Sequence, residues 1–314
     1  MMKAKFTPSI RIKALLWVLA ALLLCWLRFP GFFTEANSRY IEPYGDGFKN
    51  YAVPEYHVAH DTAFSRYRGM NYPYGEHIVS SDGQPFMANI LLGLKKQGLP
   101  TQHYVPEAIH AAMVLSVLLA VAALFILLVR LGVPHYFAGP ATLGMVFLAP
   151  QMARMTAHYG LAQVAALPLL FLAFYHFRRA PGWGRSLVIA LLLFVFSLFH
   201  FYFFALLGAV ILLWHFFEPF VDGSAAISLR RRLGYLTVQF GLPLLFFVFW
   251  LFAGDSVTDR SDQPWGFFHY RSRPEGLLLS LAQPHWAWIN RHILHLGAPE
   301  FEAINYLGIP AILG

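Results

Sequence analysis

The sequence predicts an all-α membrane protein that crosses the bilayer several times, because its composition is too apolar for a soluble domain. Hydrophobic residues make up 58% of the 314 positions and charged residues only 12%, whereas soluble domains carry roughly 25% charged residues. The apolar residues also come in runs that approach the roughly 20 residues needed to cross a bilayer. Basic residues gather between alternate runs. Together these observations exclude the soluble protein classes.

The first apolar run, residues 14–29, predicts a membrane anchor that is retained. Several Lys and Arg residues precede it within residues 3–13, as they do in a cleaved signal peptide. The run continues into RFPGFF without a small-residue cleavage site, so we expect no cleavage. Cys25, inside this run, is the single cysteine of the chain, which therefore has no intrachain disulfide.

Later apolar runs predict further helical spans. They lie at 108–129, 136–151, 161–177, 186–199, 202–217 and 234–253, and another begins near residue 304. Several are short for a full crossing, which favours tilted or kinked helices or a locally thin bilayer. The last run is too short to span before the sequence stops. We therefore expect residues 1–314 to be a single transmembrane domain and the N-terminal portion of a longer protein.

The charges predict the topology of these spans. With a cytoplasmic N-terminus, the inner loops are short and basic, as the positive-inside rule requires. Their basic residues are Arg130, Arg178, Arg179, Arg185, Arg230, Arg231 and Arg232. The outer segments are then 30–107, 152–160 and 254–303, and the two long ones carry nearly all the acidic residues. The formal charge of +7 thus reflects membrane topology and does not indicate nucleic-acid binding.

The first outer loop, residues 30–107, is too apolar to be a disordered tether, so we expect it to pack on the membrane surface and on the ends of the spans. Its segment GMNYPYG, residues 69–75, is typical of turns. Residues 82–96 predict a short helix, with Asp82 near its N-terminus and Lys95 and Lys96 near its end.

The loop opens with EPYGDGFKNY, residues 42–51, which concentrates charged groups just after the first span. One interpretation makes Asp46 a catalytic carboxylate, with Gly45 and Gly47 allowing a tight turn beside it. The other makes Asp46 the N-cap of an interfacial helix that begins with FKNY. Spacing alone does not decide between them.

A resemblance bears on this choice. A basic N-terminus, one span, a long outer loop that opens on an acidic motif and then many spans resemble the GT-C superfamily of polytopic glycosyltransferases, which use polyprenyl-phosphate-linked sugars. NYPYGEHIVSSDGQP and MTAHYGLAQ are also similar to stretches of large bacterial GT-C-like membrane proteins. The resemblance implies a GT-C-like helical bundle in a bacterial inner membrane. It also implies a catalytic Asp in the first outer loop, with Asp46 as the best match and Glu42 as the second.

The resemblance further implies a lipid-linked sugar donor and a glycan, lipid or protein acceptor. Asp46 would take the proton of the acceptor hydroxyl. Cationic groups of the outer loops would stabilise the departing phosphate, and the candidates are Lys49, Arg154 and Arg260. His158 is a further candidate for substrate contact.

Some GT-C enzymes bind a divalent metal through a second acidic motif, which this chain lacks. The corresponding loop, QMARMTAHYGLAQ, contains no Asp or Glu. We therefore expect no metal and no other cofactor, with His158 as a replacement ligand the alternative. The pairs His57 and His60, and His292 and His295, have helical spacing, but neither supplies a complete ligand set.

Two other function classes stay open at this point. A transporter or lipid-linked-sugar flippase would carry charges or broken helices near the midplane, whereas the spans here are almost free of charge. A noncatalytic envelope-assembly protein with the same scaffold would share the spans, and only the role of Asp46 would distinguish it.

Overall fold

The computed structural model describes residues 8–221, 227–255, 257 and 284–296. The chain divides into two compact units, residues 1–256 and 257–314. Most described residues are helical, as the sequence predicts. Arg260 and the span expected near residue 304 lie outside the described residues.

The first unit consists of helices joined by short connections. In chain order they are α1 (Pro8–Arg28), α2 (Gly31–Thr34), α3 (Gly45–His60), α4 (Pro85–Lys96), α5 (Val105–Arg130), α6 (His135–Phe147), α7 (Pro150–Arg154), α8 (Ala166–Arg179), α9 (Trp183–Phe199), α10 (Tyr202–Val221), α11 (Leu229–Leu236) and α12 (Leu242–Gly254). A π-helical turn, Thr237–Gly241, joins α11 to α12. Two short strands, β1 (Arg66–Tyr67) and β2 (Glu76–His77), pair antiparallel between α3 and α4.

In the second unit the described residues form α13 (Pro284–Ile289) and a π-helical turn, Asn290–Leu294. His292 of the predicted pair hydrogen-bonds through Nδ1 to the Trp288 carbonyl at 2.8 Å. This ring nitrogen is therefore engaged by the backbone of its own helix.

Five helical stretches among the described residues are long and apolar enough to cross a membrane. They are Ile10–Arg28, Val105–Arg130, Tyr159–Arg179, Tyr202–Phe220 and Leu229–Phe252, and the apolar helix Trp183–Phe199 is slightly shorter. The protein is therefore a multi-pass membrane protein, which confirms this part of the sequence prediction. Cys25 is fully buried on the side of α1 that faces the bundle.

The predicted span 136–151 is interrupted in the structure. Helix α6 ends at Phe147, and Ala149 is extended with ψ of 141° before Pro150 opens α7. The cause is local, because a proline disfavours the helical conformation of the residue before it. The predicted span 161–177 is likewise a 3-10 turn followed by α8, which begins only at Ala166.

Because α6 and α8 are short, residues 148–165 connect them partway along the bundle. Helices of 13 and 14 residues rise only about 20 Å, against a hydrocarbon core of about 30 Å. The C-terminal ends of α8 and α5 lie side by side, since the Tyr175 hydroxyl donates a hydrogen bond to the Arg130 carbonyl at 3.2 Å. At the other end of α8, Ala165 N–H donates to Ser116 Oγ in the middle of α5 at 3.0 Å. We call residues 148–165 the recessed segment.

A chain of buried polar groups joins the helices near their opposite end. His215 Nε2 donates to Gln239 Oε1 at 2.9 Å, and Gln239 Nε2 donates to Ser186 Oγ at 3.0 Å. Gln239 lies in the π-helical turn, so this irregular turn is tied to both α9 and α10. Hydrogen bonding of this kind offsets the cost of burying amide groups among apolar helices.

The contact of α1 with α6 depends on a glycine, and this generates a first prediction. A Cβ added at Gly139 would lie 1.9 Å from the Trp17 ring, whereas nothing lies within 4 Å of a Cβ at Gly144 on the same helix. We expect Gly139→Ala to lower the free energy of unfolding by about 1–3 kcal/mol, the usual cost of overpacking. Gly144→Ala, the matched control, should be neutral or stabilise by up to about 1 kcal/mol. Unfolding in mixed micelles measures both, and equal effects would contradict this packing.

Candidate functional site

The site begins at the first turn of α3, where the predicted acidic motif lies. Gly45 has a φ of +54°, a conformation that favours glycine. Tyr44 occupies the N-cap position, so the interpretation of Asp46 as N-cap is wrong. Asp46 instead lies in the first turn, where the helix dipole favours a negative charge. A Cβ at Gly47 would lie 2.3 Å from Glu42 Cβ, so the glycine lets Glu42 pack against this turn.

Five acidic and basic side chains alternate in a row that includes Asp46, and we call this row the charge chain. Asp46 Oδ1 lies 3.0 Å from Lys49 Nζ, and Lys49 Nζ lies 3.3 Å from Asp82 Oδ2. Asp82 Oδ1 is 2.9 Å from His200 Nε2, and Asp46 Oδ2 is 3.4 Å from His158 Nε2. The structure thus brings together three of the predicted site residues and adds Asp82 and His200.

Asp82 reaches Lys49 because it lies in a turn and not in a helix. The predicted helix 82–96 begins only at Pro85, and both Asp82 and Gln84 have positive φ. A Cβ at Gly83 would lie 2.1 Å from Val53 Cγ1, so the turn packs closely on α3. The carboxylate of Asp82 is consequently directed to the α3 face that carries Lys49.

A second glycine brings the recessed segment to the same place. A Cβ at Gly160 would lie 2.8 Å from the Phe199 carbonyl oxygen and 3.4 Å from Gln84 Cγ. The corner between α9 and α10, where His200 lies, therefore packs directly on the recessed segment. His158, two residues before Gly160, is held beside Asp46 by this packing.

The charge chain shifts the pKa of two members. Burial alone would raise the pKa of Asp82, but its ion pairs with His200 and Lys49 outweigh burial, and the pKa lies below its usual value. Burial would likewise lower the pKa of Lys49, but Asp46 and Asp82 outweigh it and raise that pKa. Both groups are therefore charged at neutral pH.

Buried amide groups beside the charge chain have unused hydrogen-bonding capacity. Among the described residues, neither side-chain polar atom of Gln84 has a hydrogen-bond partner, and the same holds for Gln163 Nε2 and Asn50 Oδ1. All three residues are nearly fully buried. Because buried polar atoms are normally paired, this surround suits a polar ligand.

Arg154 lies one helical turn before His158, since its carbonyl accepts the His158 N–H at 3.0 Å. It lines a groove of about 240 Å³ whose other walls are mainly apolar and include Leu161, Tyr202 and Phe203. No carboxylate pairs with Arg154 in the part of the chain that the structure describes. Its guanidinium is therefore free to bind an anion.

The buried pair His57 and Asp61 has a structural role. His57 Nδ1 lies 2.9 Å from Asp61 Oδ2, and its Nε2 lies 3.2 Å from Asn89 Oδ1, which ties α3 to α4. Within the described ranges, no group of three or more His, Cys, Asp or Glu side chains is placed to hold a metal ion.

The pKa shift of Asp82 gives a second prediction. A carboxyl whose native pKa is depressed stabilises the fold above its unfolded pKa of about 3.9, and this contribution disappears as the pH falls through the lower native pKa. We expect Asp82→Asn to lower the melting temperature at neutral pH and to lose this effect in acid. Thermal unfolding of both proteins across pH measures it.

Glu35→Gln is the control for that experiment, since Glu35 pairs only with Arg39 on the exposed surface, where ion pairs contribute little. An Asp82→Asn effect no larger than that of the control would contradict the role of Asp82 in the charge chain.

Comparisons with known proteins address the chain as a whole. No curated protein and no solved structure matches it. One family model, described as a domain of unknown function (DUF6311), matches residues 17–313. The match includes all five residues of the charge chain as well as Arg154. The chain therefore belongs to the DUF6311 family.

Proposed function

We propose that this protein is a membrane glycosyltransferase that moves a sugar from a polyprenyl-phosphate donor to a hydroxyl acceptor at the extracytoplasmic face. Asp46 is the general base in this proposal. The observation that carries it is the position of the Asp46 carboxylate between Lys49 and His158. Arg154, which pairs with no carboxylate among the described residues, lies one turn before His158. A base and several cations next to one another are what this transfer needs.

The depth of the site supports a lipid-linked donor. The recessed segment ends at Ala165, beside the middle of α5, and its His158 lies 3.4 Å from Asp46 of the proposed outer loop. A phosphate held by Arg154 would lie near the headgroup level with its prenyl chain in the apolar groove. An acceptor from water would approach Asp46, whose side chain is 48% exposed.

In the proposed reaction the acceptor hydroxyl binds to Asp46 in place of one of its present partners. Both carboxylate oxygens have a partner, and the 3.4 Å contact with His158 is the longer of the two. An acceptor hydroxyl would replace His158 there and give its proton to Asp46 as its oxygen forms the new bond to the anomeric carbon. The bond from that carbon to the phosphate oxygen breaks, and the phosphate leaves with the electron pair. No acid is needed, because a phosphate departs without protonation.

The cations then have a defined task. Negative charge develops on the leaving phosphate, and a guanidinium binds phosphate through parallel hydrogen bonds. Arg154 fits this role, and His158, once displaced, could assist. Lys49 orients Asp46, and Asp82 holds Lys49 in turn.

The architecture supports the same proposal. One span, an outer loop with the short helices α3 and α4, and then a bundle of spans are what a GT-C-like protein would have. With the charge chain outside, Arg130, Arg179 and Arg185 fall at the cytoplasmic ends of their helices, in agreement with the positive-inside rule. In this proposal the protein lies in a bacterial inner membrane and its N-terminus is cytoplasmic.

A transporter or flippase is the main rival, and a noncatalytic assembly protein is another. The buried polar groups His215, Gln239 and Ser186 are bonded to one another and tie helices together, so they give no specific support to a permeation path. Dependence of sugar transfer on Asp46 separates an enzyme from either rival.

The third prediction concerns Asp46. Asp46→Asn keeps the shape of the side chain but removes the base, so we expect transfer from a polyprenyl-phosphate sugar to fall by at least about 100-fold, the usual lower range for general base catalysis. The measurement is the release of polyprenyl phosphate and formation of glycosylated acceptor in membranes that contain the purified full-length protein. Glu35→Gln, in the same loop, is the control and should retain full transfer.

Unchanged transfer in correctly inserted Asp46→Asn would refute the base assignment. Movement of a lipid-linked sugar across vesicles without any product, in the wild type, would instead favour the flippase.

The fourth prediction concerns Arg154. Arg154→Gln removes a charge-assisted contact with phosphate that is worth about 1.5–3 kcal/mol, so we expect the KM for the lipid donor to rise roughly 10- to 100-fold. The KM for the acceptor should not change. Steady-state kinetics with each substrate varied separately measures this, and an equal rise in both KM values would speak against a phosphate contact.

A further inference from the structure

A second polar cavity lies on the other side of α3. It has a volume of about 260 Å³, and its lining residues are Asn37, Ser38, Tyr40, Glu55, Gln102, His103 and Pro106. Glu55 follows Asp46 by nine positions, which at 3.6 residues per turn puts the two carboxylates on opposite faces of the helix. This cavity is therefore distinct from the charge chain.

The cavity offers mainly hydrogen-bond acceptors. Tyr40 donates its hydroxyl to Glu55 Oε2 at 2.5 Å, which leaves Oε1 of that carboxylate to accept from a ligand. Gln102 Oε1 is buried without a partner. The amide of Asn37 donates to the His103 carbonyl, so its own oxygen is a third acceptor. A complementary ligand must carry several donors close together.

The walls of the cavity are held in place before any ligand binds. Tyr40 stacks on the buried Tyr51 at 4.5 Å between ring centroids. His110 Nδ1 donates to the Ala36 carbonyl at 2.9 Å, so its Nε2 accepts the Tyr51 hydroxyl at 2.5 Å. Walls that are already ordered lower the entropic cost of binding.

The charges narrow the ligand class. Burial raises the pKa of Glu55, although its hydrogen bond from Tyr40 acts in the opposite direction. One carboxylate is far fewer than the six to eight oxygen ligands, roughly, that Ca²⁺ takes. A phosphate would need a cation, and the lining contains no Lys or Arg. A neutral ligand rich in hydroxyl groups supplies several donors close together. It requires neither the oxygen ligands of a metal site nor a cation in the lining.

We propose that this cavity, between Tyr40, Glu55 and Gln102, is a binding site for one neutral sugar ring. Its volume of about 260 Å³ lies just below the range of drug-sized sites, which begins at about 300 Å³, and so fits a single ring better than an oligosaccharide. Adjacent hydroxyls of a sugar would donate to Glu55 and Gln102. The proposal goes beyond the function assigned to Asp46 and does not depend on it.

The test is binding of free glucose, mannose and N-acetylglucosamine to the full chain in lipid nanodiscs, measured by saturation-transfer NMR. The wild type should bind at least one of them. Glu55→Gln keeps the shape of the side chain and an acceptor for Tyr40 but puts a donor where the free acceptor was. We expect it to weaken binding at least about tenfold, as the loss of a charge-assisted hydrogen bond would. Gln102→Ala should weaken binding as well.

Asp46→Asn separates this proposal from the enzymatic one and should leave sugar binding unchanged. Absence of binding of all three sugars to the wild type would overturn the proposal. So would equal binding by wild type and by Glu55→Gln that elutes as a folded protein, or loss of binding in Asp46→Asn alone. If transfer depends on Asp46 but no free sugar binds, the proposed function stands and this inference falls.

Discussion

The hydrogen bond from Ala165 N–H to Ser116 Oγ is the interaction on which the arrangement of the site depends. At membrane depth no water is available to a backbone group, so irregular chain is tolerated only where the protein supplies the partners. Ser116 supplies one at the start of α8, in the middle of the bundle. This allows residues 148–165 to turn back beside the bundle, where His158 lies 3.4 Å from Asp46 of α3.

The second level of organisation is electrostatic. Lys49 is shared by Asp46 and Asp82, and His158 and His200 close the two ends. Each pair is partly exposed and would contribute little alone, but together they join α3 and the turn before α4 to the recessed segment and to the corner between α9 and α10. Close glycine contacts, rather than the charges, bring these elements together, because Gly83 and Gly160 leave no room for a side chain.

The sequence was informative where the signal is local. Apolar runs and basic loops predicted the membrane class and most spans, and the position of Asp46 in the first loop singled out the first turn of α3. The break at Pro150 could have been read from the proline. The roles of Asp82 and His200 could not be predicted, because both residues lie more than 30 positions from Lys49 in the sequence. Nothing in DGQP or in FHFYF indicates that these segments pack beside α3. Glu55 was missed because a lone carboxylate in a helix carries no spacing signal.

The burial of Cys25 makes the chain suitable for cysteine labelling. This residue is the single thiol of the chain and has no exposed surface, since α1 packs this position against the bundle. We therefore expect water-soluble maleimides not to label the native protein. One cysteine placed at exposed Tyr74 in the loop, or at exposed Leu131 at the other end of α5, becomes the sole labelling site. Labelling in whole cells can thus show on which side of the membrane each position lies, without first removing a native residue.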